Sequence, residues 1–165
     1  METVYIETTV VSYLVANPSR DPVLAAHQQL TRQWWQDERR RYGCVTSQEV
    51  LREAGLGDAE MSRRRLEALA VLTLIAVDES ARGLTRTLMA TGILPVAAGS
   101  DALHLVLASQ HQLDLLLTWN CRHLANPHIA GKLRAFMHQY GLALPEICTP
   151  VELMGDCLNE NEPNS

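Results

Sequence analysis

Short apolar runs alternate along this chain with longer stretches in which apolar residues recur at helical spacing. The runs at 3–6, 43–46, 71–77 and 114–118 predict four strands, and 146–150 predicts a fifth at a sheet edge. The runs at 71–77 and 114–118 are almost continuously apolar, which is typical of strands buried on both faces of a parallel sheet.

Helical stretches separate these strands. They are predicted as one turn at 12–16 and helices over 21–41, 48–54, 58–70, 80–91, 102–111 and 125–140. The alternation predicts a single α/β domain over residues 1–154, with a mostly parallel central sheet of four to five strands flanked by helices on both faces. Residues 155–165 are predicted to be a disordered acidic tail.

Composition narrows the class of protein. The 165 residues are 47% hydrophobic and 20% charged, an ordinary globular balance for one domain. The net charge of −5 would not recruit nucleic acid by bulk electrostatics, although arginine triplets at 39–41 and 63–65 leave room for local basic patches. The four cysteines are scattered, without C-x-x-C, and no apolar run reaches the roughly 20 residues that span a membrane. We therefore expect reduced thiols, a cytoplasmic location and no membrane association.

Polar residues at the predicted strand ends carry the candidate chemistry. Glu7 follows the first strand, Glu53 lies on the helix after the second, Asp101 begins the helix before the fourth, and Asn120 follows the fourth. Each alone has an ordinary explanation as a surface, helix-start or turn residue. Ligand sites of open parallel sheets lie at the carboxyl ends of the strands, so their joint placement favours a common site.

Converging carboxylates repel one another unless a cation lies between them. Oxygen ligands of this kind suit a hard divalent ion, so the sequence predicts Mg²⁺ or Mn²⁺ as the cofactor. Such an ion can activate water and neutralise charge on a phosphoryl group. The six histidines lack the H-x-x-x-H spacing of a helical zinc site, and neither a P-loop nor a G-x-S-x-G motif is present.

Four segments stand out together, namely VYIETTVVSYL at 4–14, TSQEVLRE at 46–53, SDALH at 100–104 and LLLTWN at 115–120. Their order and spacing resemble those of the PIN-domain nucleases, and more narrowly of the VapC-type toxins of bacterial toxin–antitoxin pairs. The likeness runs from about residue 3 to residue 153. It implies a metal-dependent endoribonuclease that hydrolyses RNA phosphodiester bonds and is inhibited by a cognate antitoxin.

The family pattern carries over position by position. Its acids match Glu7, Glu53 (rather than Glu49) and Asp101 as metal ligands, and its fourth catalytic acid is matched by Asn120. The family usually has aspartate at the first and fourth of these positions. Glu7 reaches one methylene farther, and Asn120 removes a negative charge, which favours one ion over two. A non-catalytic binding protein on the same fold, with a degraded metal site, is the alternative.

Further residues are assigned around these ligands. Thr8 and Thr118 are expected to support the carboxylates through their hydroxyls. His104, one turn after Asp101, could approach a substrate phosphate, and Trp119 could stack on a base, although packing in the core is the competing role for both. An arginine of the antitoxin is expected to bind the acidic cluster when metal is absent.

The resemblance also predicts a homodimer, with the early helices that carry Trp34 and Trp35 supplying apolar surface. Light scattering at micromolar concentration should give about twice the chain mass of 18.4 kDa. A mass near that of one chain would contradict the prediction.

Overall fold

A computed structural model of the protein describes the backbone of residues 1–159 and the side chains of residues 1–154. The five strands are β1 (Thr3–Ile6), β2 (Gly43–Ser47), β3 (Thr73–Ile75), β4 (Leu115–Leu117) and β5 (Glu146–Cys148). The helices are α1 (Thr8–Val15), α2 (Pro22–Gln33), α3 (Gln48–Ala54), α4 (Ala59–Leu69), α5 (Glu79–Ala90), α6 (Gly99–Gln110), α7 (Pro127–Gln139) and α8 (Pro150–Asn159). A π-helical turn at Trp34–Glu38 and 3₁₀ turns at Arg39–Arg41 and Val96–Ala98 complete the secondary structure of this part of the chain.

The strands form one parallel sheet in the order β3-β2-β1-β4-β5. Consecutive residues of β1 and β4, from Val4 to Ile6 and from Leu115 to Leu117, are all buried. Because neighbouring side chains of a strand point to opposite faces, both faces of the sheet centre are covered. The predicted α/β architecture with a flanked parallel sheet is confirmed, and the sheet has five strands.

The chain order reverses between β1 and β4. From β1 the chain proceeds outward to β2 and β3, and then returns to β4 on the other side of β1. Such a switch point leaves a crevice beyond the carboxyl ends of the two adjacent strands. Glu7 and Thr118, the residues directly after β1 and β4, lie at this point, since Ile6 is the register partner of Leu117.

The first helix is longer than its sequence predicts. The sequence predicts only a turn at 12–16, and the β-branched run Thr8–Val11 before it has a low helix propensity. In the structure α1 begins directly after Glu7, whose carboxylate caps the helix, and Val10 and Val11 are fully buried. Burial of these two side chains outweighs the small propensity penalty.

The third strand is shorter and more exposed than its sequence predicts. The expectation of a strand over 71–77 buried on both faces is wrong, because β3 covers only Thr73–Ile75 at the edge of the sheet. Val71 and Leu74 are 64% and 49% exposed. An apolar run indicates a strand, but only the sheet order decides which strand lies at the edge.

Two further elements, the long helix after α1 and the last helix, differ from their sequence predictions. The helix predicted over 21–41 keeps its extent but changes from α to π and 3₁₀ geometry after Gln33. Trp34 is fully buried within the domain, so the expectation that it supplies apolar surface to a dimer is wrong, whereas Trp35 is partly exposed. Helix α8 continues to Asn159, across the predicted domain boundary at residue 154. The remainder of the predicted tail, 160–165, lies outside the described residues. Within residues 1–159, no helix is both long and apolar enough to cross a membrane.

The middle residues of β4 and β3, Leu116 and Leu74, should differ in their effect on stability. Leu116→Ala, in fully buried β4, should lower the free energy of unfolding by about 2–5 kcal/mol. Leu74→Ala, in half-exposed β3, should lower it by about 1 kcal/mol or less. Urea unfolding followed by circular dichroism measures both values, and equal losses would contradict the edge position of β3.

Candidate active site

Glu7 is a buried carboxylate at the switch point of the sheet, with only 2% of its surface exposed. Its Oε2 accepts hydrogen bonds from the Thr9 backbone N–H at 3.1 Å, from the Thr9 hydroxyl, and from the Thr118 hydroxyl at 2.8 Å. Burial raises the pKa of Glu7, while His104 and these donors oppose the rise. The donors therefore replace part of the solvation that burial removes.

Glu53 lies in the last turn of α3, a helix that Ser47 caps at its first turn. Its Oε1 accepts from the Thr8 hydroxyl at 2.8 Å and from His104 Nε2 at 2.6 Å. Burial by itself would raise the pKa of Glu53, but the hydrogen bond and charge of His104 lower it. The imidazole thus favours the ionised form of this carboxylate.

The neighbouring acid on the same helix, Glu49, has a different role. It pairs with Arg52 at 2.7 Å and accepts the Ser100 hydroxyl at 2.7 Å, so both of its oxygens have partners. The geometry therefore leaves Glu53, and not Glu49, as the acid of α3 that faces the site.

Asp101 is in the first turn of α6, where the helix dipole favours a negative charge. Its Oδ2 accepts from Asn120 Nδ2 and from His123 Nδ1, each at 3.1 Å. Asn120 Oδ1 in turn accepts the backbone N–H of His123 at 3.1 Å. The loop after β4 consequently holds Asp101 from two directions.

The residues of the candidate site form two linked groups. Ligand atoms of Glu7, Glu53 and His104 lie within 4.8 Å of one another, and Asp101 is not in that group. The Thr118 hydroxyl links the two groups, because it donates to Glu7 and accepts the backbone N–H of Asn120 at 2.9 Å. Asn120 thus contacts Asp101 directly and Glu7 only through Thr118.

One feature is common to the three carboxylates. In each, one oxygen accepts all of the hydrogen bonds that other side chains or amides donate. Within residues 1–154, no hydrogen bond reaches the other oxygen, which is Oε1 of Glu7, Oε2 of Glu53 or Oδ1 of Asp101. Oxygens of this kind are the ligands that Mg²⁺ and Mn²⁺ prefer, so the donor set fits a hard divalent ion.

His104 and Trp119 are both held by contacts within the protein. The His104 ring is completely buried between Tyr5 and Glu53. Trp119 stacks on His27 and Tyr13, at centroid distances of 4.3 and 5.5 Å, and its Nε1 donates to Thr31 at 2.8 Å. This geometry therefore favours packing, the alternative role, for both rings.

The sequence assigned no role in the site to Thr9 or His123. Thr9 donates twice to Glu7, and its hydroxyl also accepts the backbone N–H of Trp119 at 2.9 Å. The spacing of Thr9 two residues after Glu7 is the signal for a capping contact. His123 lies three residues after Asn120, and nothing in the sequence indicates that the turn returns its ring to Asp101.

Comparisons with known proteins give the fold a class. No protein-family model matches the chain, and no curated protein matches it either. Among solved structures, it is similar to VapC20 of Mycobacterium tuberculosis, described as a sarcin-ricin loop cleaving toxin, with a TM-score of 0.55 and 12% identity over 73% of this chain and 92% of that one. It is also similar to VapBC2 of Rickettsia felis, bound to a DNA fragment from its promoter, with a TM-score of 0.50 and 13% identity over 89% and 98% of the two chains.

The fold is therefore that of a PIN domain, with a five-stranded parallel sheet and acidic residues at its switch point. Both of these similar structures are of VapC or VapBC proteins.

The contact between Asn120 and Asp101 predicts a charge-dependent change in stability. Asn120→Asp replaces a donor 3.1 Å from Asp101 by a second carboxylate. The variant should lose about 1–3 kcal/mol of unfolding free energy in the metal-free protein, because a hydrogen bond to a charged group becomes a repulsion. Urea unfolding in the presence of a chelator measures the loss.

Asn126→Asp is the matched control, since Asn126 caps α7 and aspartate caps a helix about equally well. Its unfolding free energy should stay close to that of the unaltered protein. Equal values for the two variants would show that Asn120 does not stabilise Asp101.

Proposed function

We propose that this protein is a metal-dependent endoribonuclease that hydrolyses RNA phosphodiester bonds, and that it is the toxin of a toxin–antitoxin pair. The observation that carries the proposal is the set of three carboxylates, each held by protein donors through one oxygen only. The shared fold supports the same conclusion, since VapC20 is described as a sarcin-ricin loop cleaving toxin.

Glu7, Glu53 and Asp101 are the residues that would hold Mg²⁺ or Mn²⁺. When bound, the ion would supply an activated water and would neutralise charge on the phosphoryl group. Asn120 contributes no charge, and both ends of its amide already have protein partners, so we assign it to the positioning of Asp101. A smaller negative charge at this position favours one ion over two.

The remaining polar residues orient these ligands. Thr9 and Thr118 hold Glu7, while Thr8 and His104 hold Glu53, so that each carboxylate approaches the site in one orientation. Fixed ligands lose little further conformational freedom when an ion binds. The glutamate at position 7 suits this arrangement, because its longer side chain folds back to cap α1.

The partners follow from the same proposal. The substrate is RNA, and the inhibitor is an antitoxin protein that places an arginine against the acidic cluster when the ion is absent. The active form is a homodimer that acts in the cytoplasm.

Asp101→Asn tests the proposal most directly. Asparagine caps or begins a helix nearly as well as aspartate, so the fold should be retained. Loss of a full charge from the ion's ligands should lower RNA cleavage by about a hundredfold or more. Asn120→Ala should weaken cleavage less, because it removes a donor to Asp101 and an acceptor of the His123 backbone N–H, and no charge.

Cleavage is measured with Mg²⁺ or Mn²⁺ and with circular dichroism as the folding check. Asp58→Asn is the matched control, since Asp58 caps α4 and has no contact with the site, and it should keep full activity. A folded Asp101→Asn variant that cleaves RNA normally would remove Asp101 from the site. If the unaltered protein bound no Mn²⁺ at millimolar concentration in calorimetry, the non-catalytic alternative would be supported instead.

A further inference from the structure

A continuous chain of buried polar groups lies behind the candidate site. The Ser47 Oγ and Tyr5 hydroxyl oxygens are 2.6 Å apart, and the Tyr5 hydroxyl is 2.7 Å from His104 Nδ1. His104 Nε2 then contacts Glu53 Oε1 at 2.6 Å. Ser47, Tyr5 and His104 each have no exposed surface.

Burying so many polar atoms in a core is unfavourable unless every one is hydrogen-bonded, and apolar side chains of the same shape would pack there without that constraint. Tyr5 lies between Val4 and Ile6 in the central strand, where phenylalanine would satisfy packing alone. The hydroxyl of Tyr5 is instead the only group that joins Ser47 to His104 among the described residues. This series of hydrogen bonds therefore has a role beyond filling space.

The geometry fixes the orientation of the imidazole. An ionised carboxylate only accepts hydrogen bonds, so His104 Nε2 donates to Glu53. A hydroxyl both donates and accepts, so Tyr5 can bond to Nδ1 whether that nitrogen carries a proton or not. The ring is therefore held in one position in both charge states, and Nε2 always faces Glu53.

The same series of hydrogen bonds also connects to α3, the helix that carries Glu53. Ser47 caps α3 and accepts the backbone N–H of Val50 at 3.3 Å, and Glu53 lies one turn further along the same helix. These hydrogen bonds connect the first turn of α3 to its last turn through Tyr5 of β1 and His104 of α6. A shift of α3 relative to the sheet would break one of these hydrogen bonds.

We propose that Tyr5 is a positioning residue for the metal site, which orients His104 so that Glu53 presents Oε2 to the ion. Ser47 completes the arrangement by fixing the Tyr5 hydroxyl. This inference rests on the proposed function, because it gives these hydrogen bonds a role in positioning the metal ligands of the same site. Tyr5 itself contacts neither ion nor substrate.

The test compares Mn²⁺ affinity by calorimetry in Tyr5→Phe and the unaltered protein. The variant keeps the ring and removes only the hydroxyl, so it should retain its circular dichroism spectrum and bind Mn²⁺ about tenfold more weakly. Tyr140→Phe, which removes the hydroxyl of a half-exposed tyrosine on the surface, is the matched control and should bind normally.

Two further variants separate orientation from general destabilisation. Ser47→Ala should weaken Mn²⁺ binding, and the Tyr5→Phe/Ser47→Ala double variant should bind little more weakly than Tyr5→Phe alone, because the two hydroxyls act in series. Asp58→Ala is the control for loss of a helix cap and should leave Mn²⁺ affinity unchanged.

Variants of His104 provide the rescue. Glutamine can place an amide donor near the position of Nε2, whereas leucine has a similar volume and no donor. We expect His104→Gln to retain much more Mn²⁺ affinity than His104→Leu. Nitrogen-15 spectra of the imidazole should also change in Tyr5→Phe, because the partner of Nδ1 is lost, and should not change in Tyr140→Phe.

The outcomes separate the two proposals. If the unaltered protein binds no Mn²⁺, the proposed function fails. If it binds Mn²⁺ and folded Tyr5→Phe binds equally well, the metal site stands and the positioning role of Tyr5 is wrong. If His104→Gln and His104→Leu both abolish binding while Tyr5→Phe has no effect, His104 is itself a ligand, and the inference is overturned.

Discussion

Placing several carboxylates at one end of a parallel sheet is the constraint on which this structure depends. Each charge loses solvation as it is buried, and each repels the others. The protein meets the constraint by giving every carboxylate its own donors, and the threonines after β1 and β4 supply those of Glu7. The first turn of α1 and the loop after β4, which carry these donors, are thereby fixed in position.

His104 has the central place in this balance. Burial alone would lower its pKa, but the hydrogen bond to Glu53 and the charges of Glu7 and Glu53 raise it above the ordinary value. A buried imidazole between two carboxylates reduces their repulsion and fixes one of them. Its own orientation depends in turn on a tyrosine of the central strand, so the site and the core share residues.

The two departures from the usual acids of the fold are each accommodated locally. Glu7 folds back to cap α1, so its extra methylene is absorbed in a contact that also begins a helix. Asn120 donates to Asp101, which aspartate in its ionised form cannot do. Substitutions that look like losses in sequence thus have specific partners in the structure.

The sequence by itself determined the alternation of strands and helices and the strand ends at which Glu7 and Asn120 lie. It did so because a strand buried on both faces needs a continuous apolar run, and polar residues mark where that run ends. It could not determine the edge position of β3 or the full length of α1, because sheet order and the burial of Val10 and Val11 are properties of the assembled core. The roles of Tyr5, His104 and His123 were likewise decided only by tertiary structure, since hydrogen bonds between residues distant in sequence leave no local pattern.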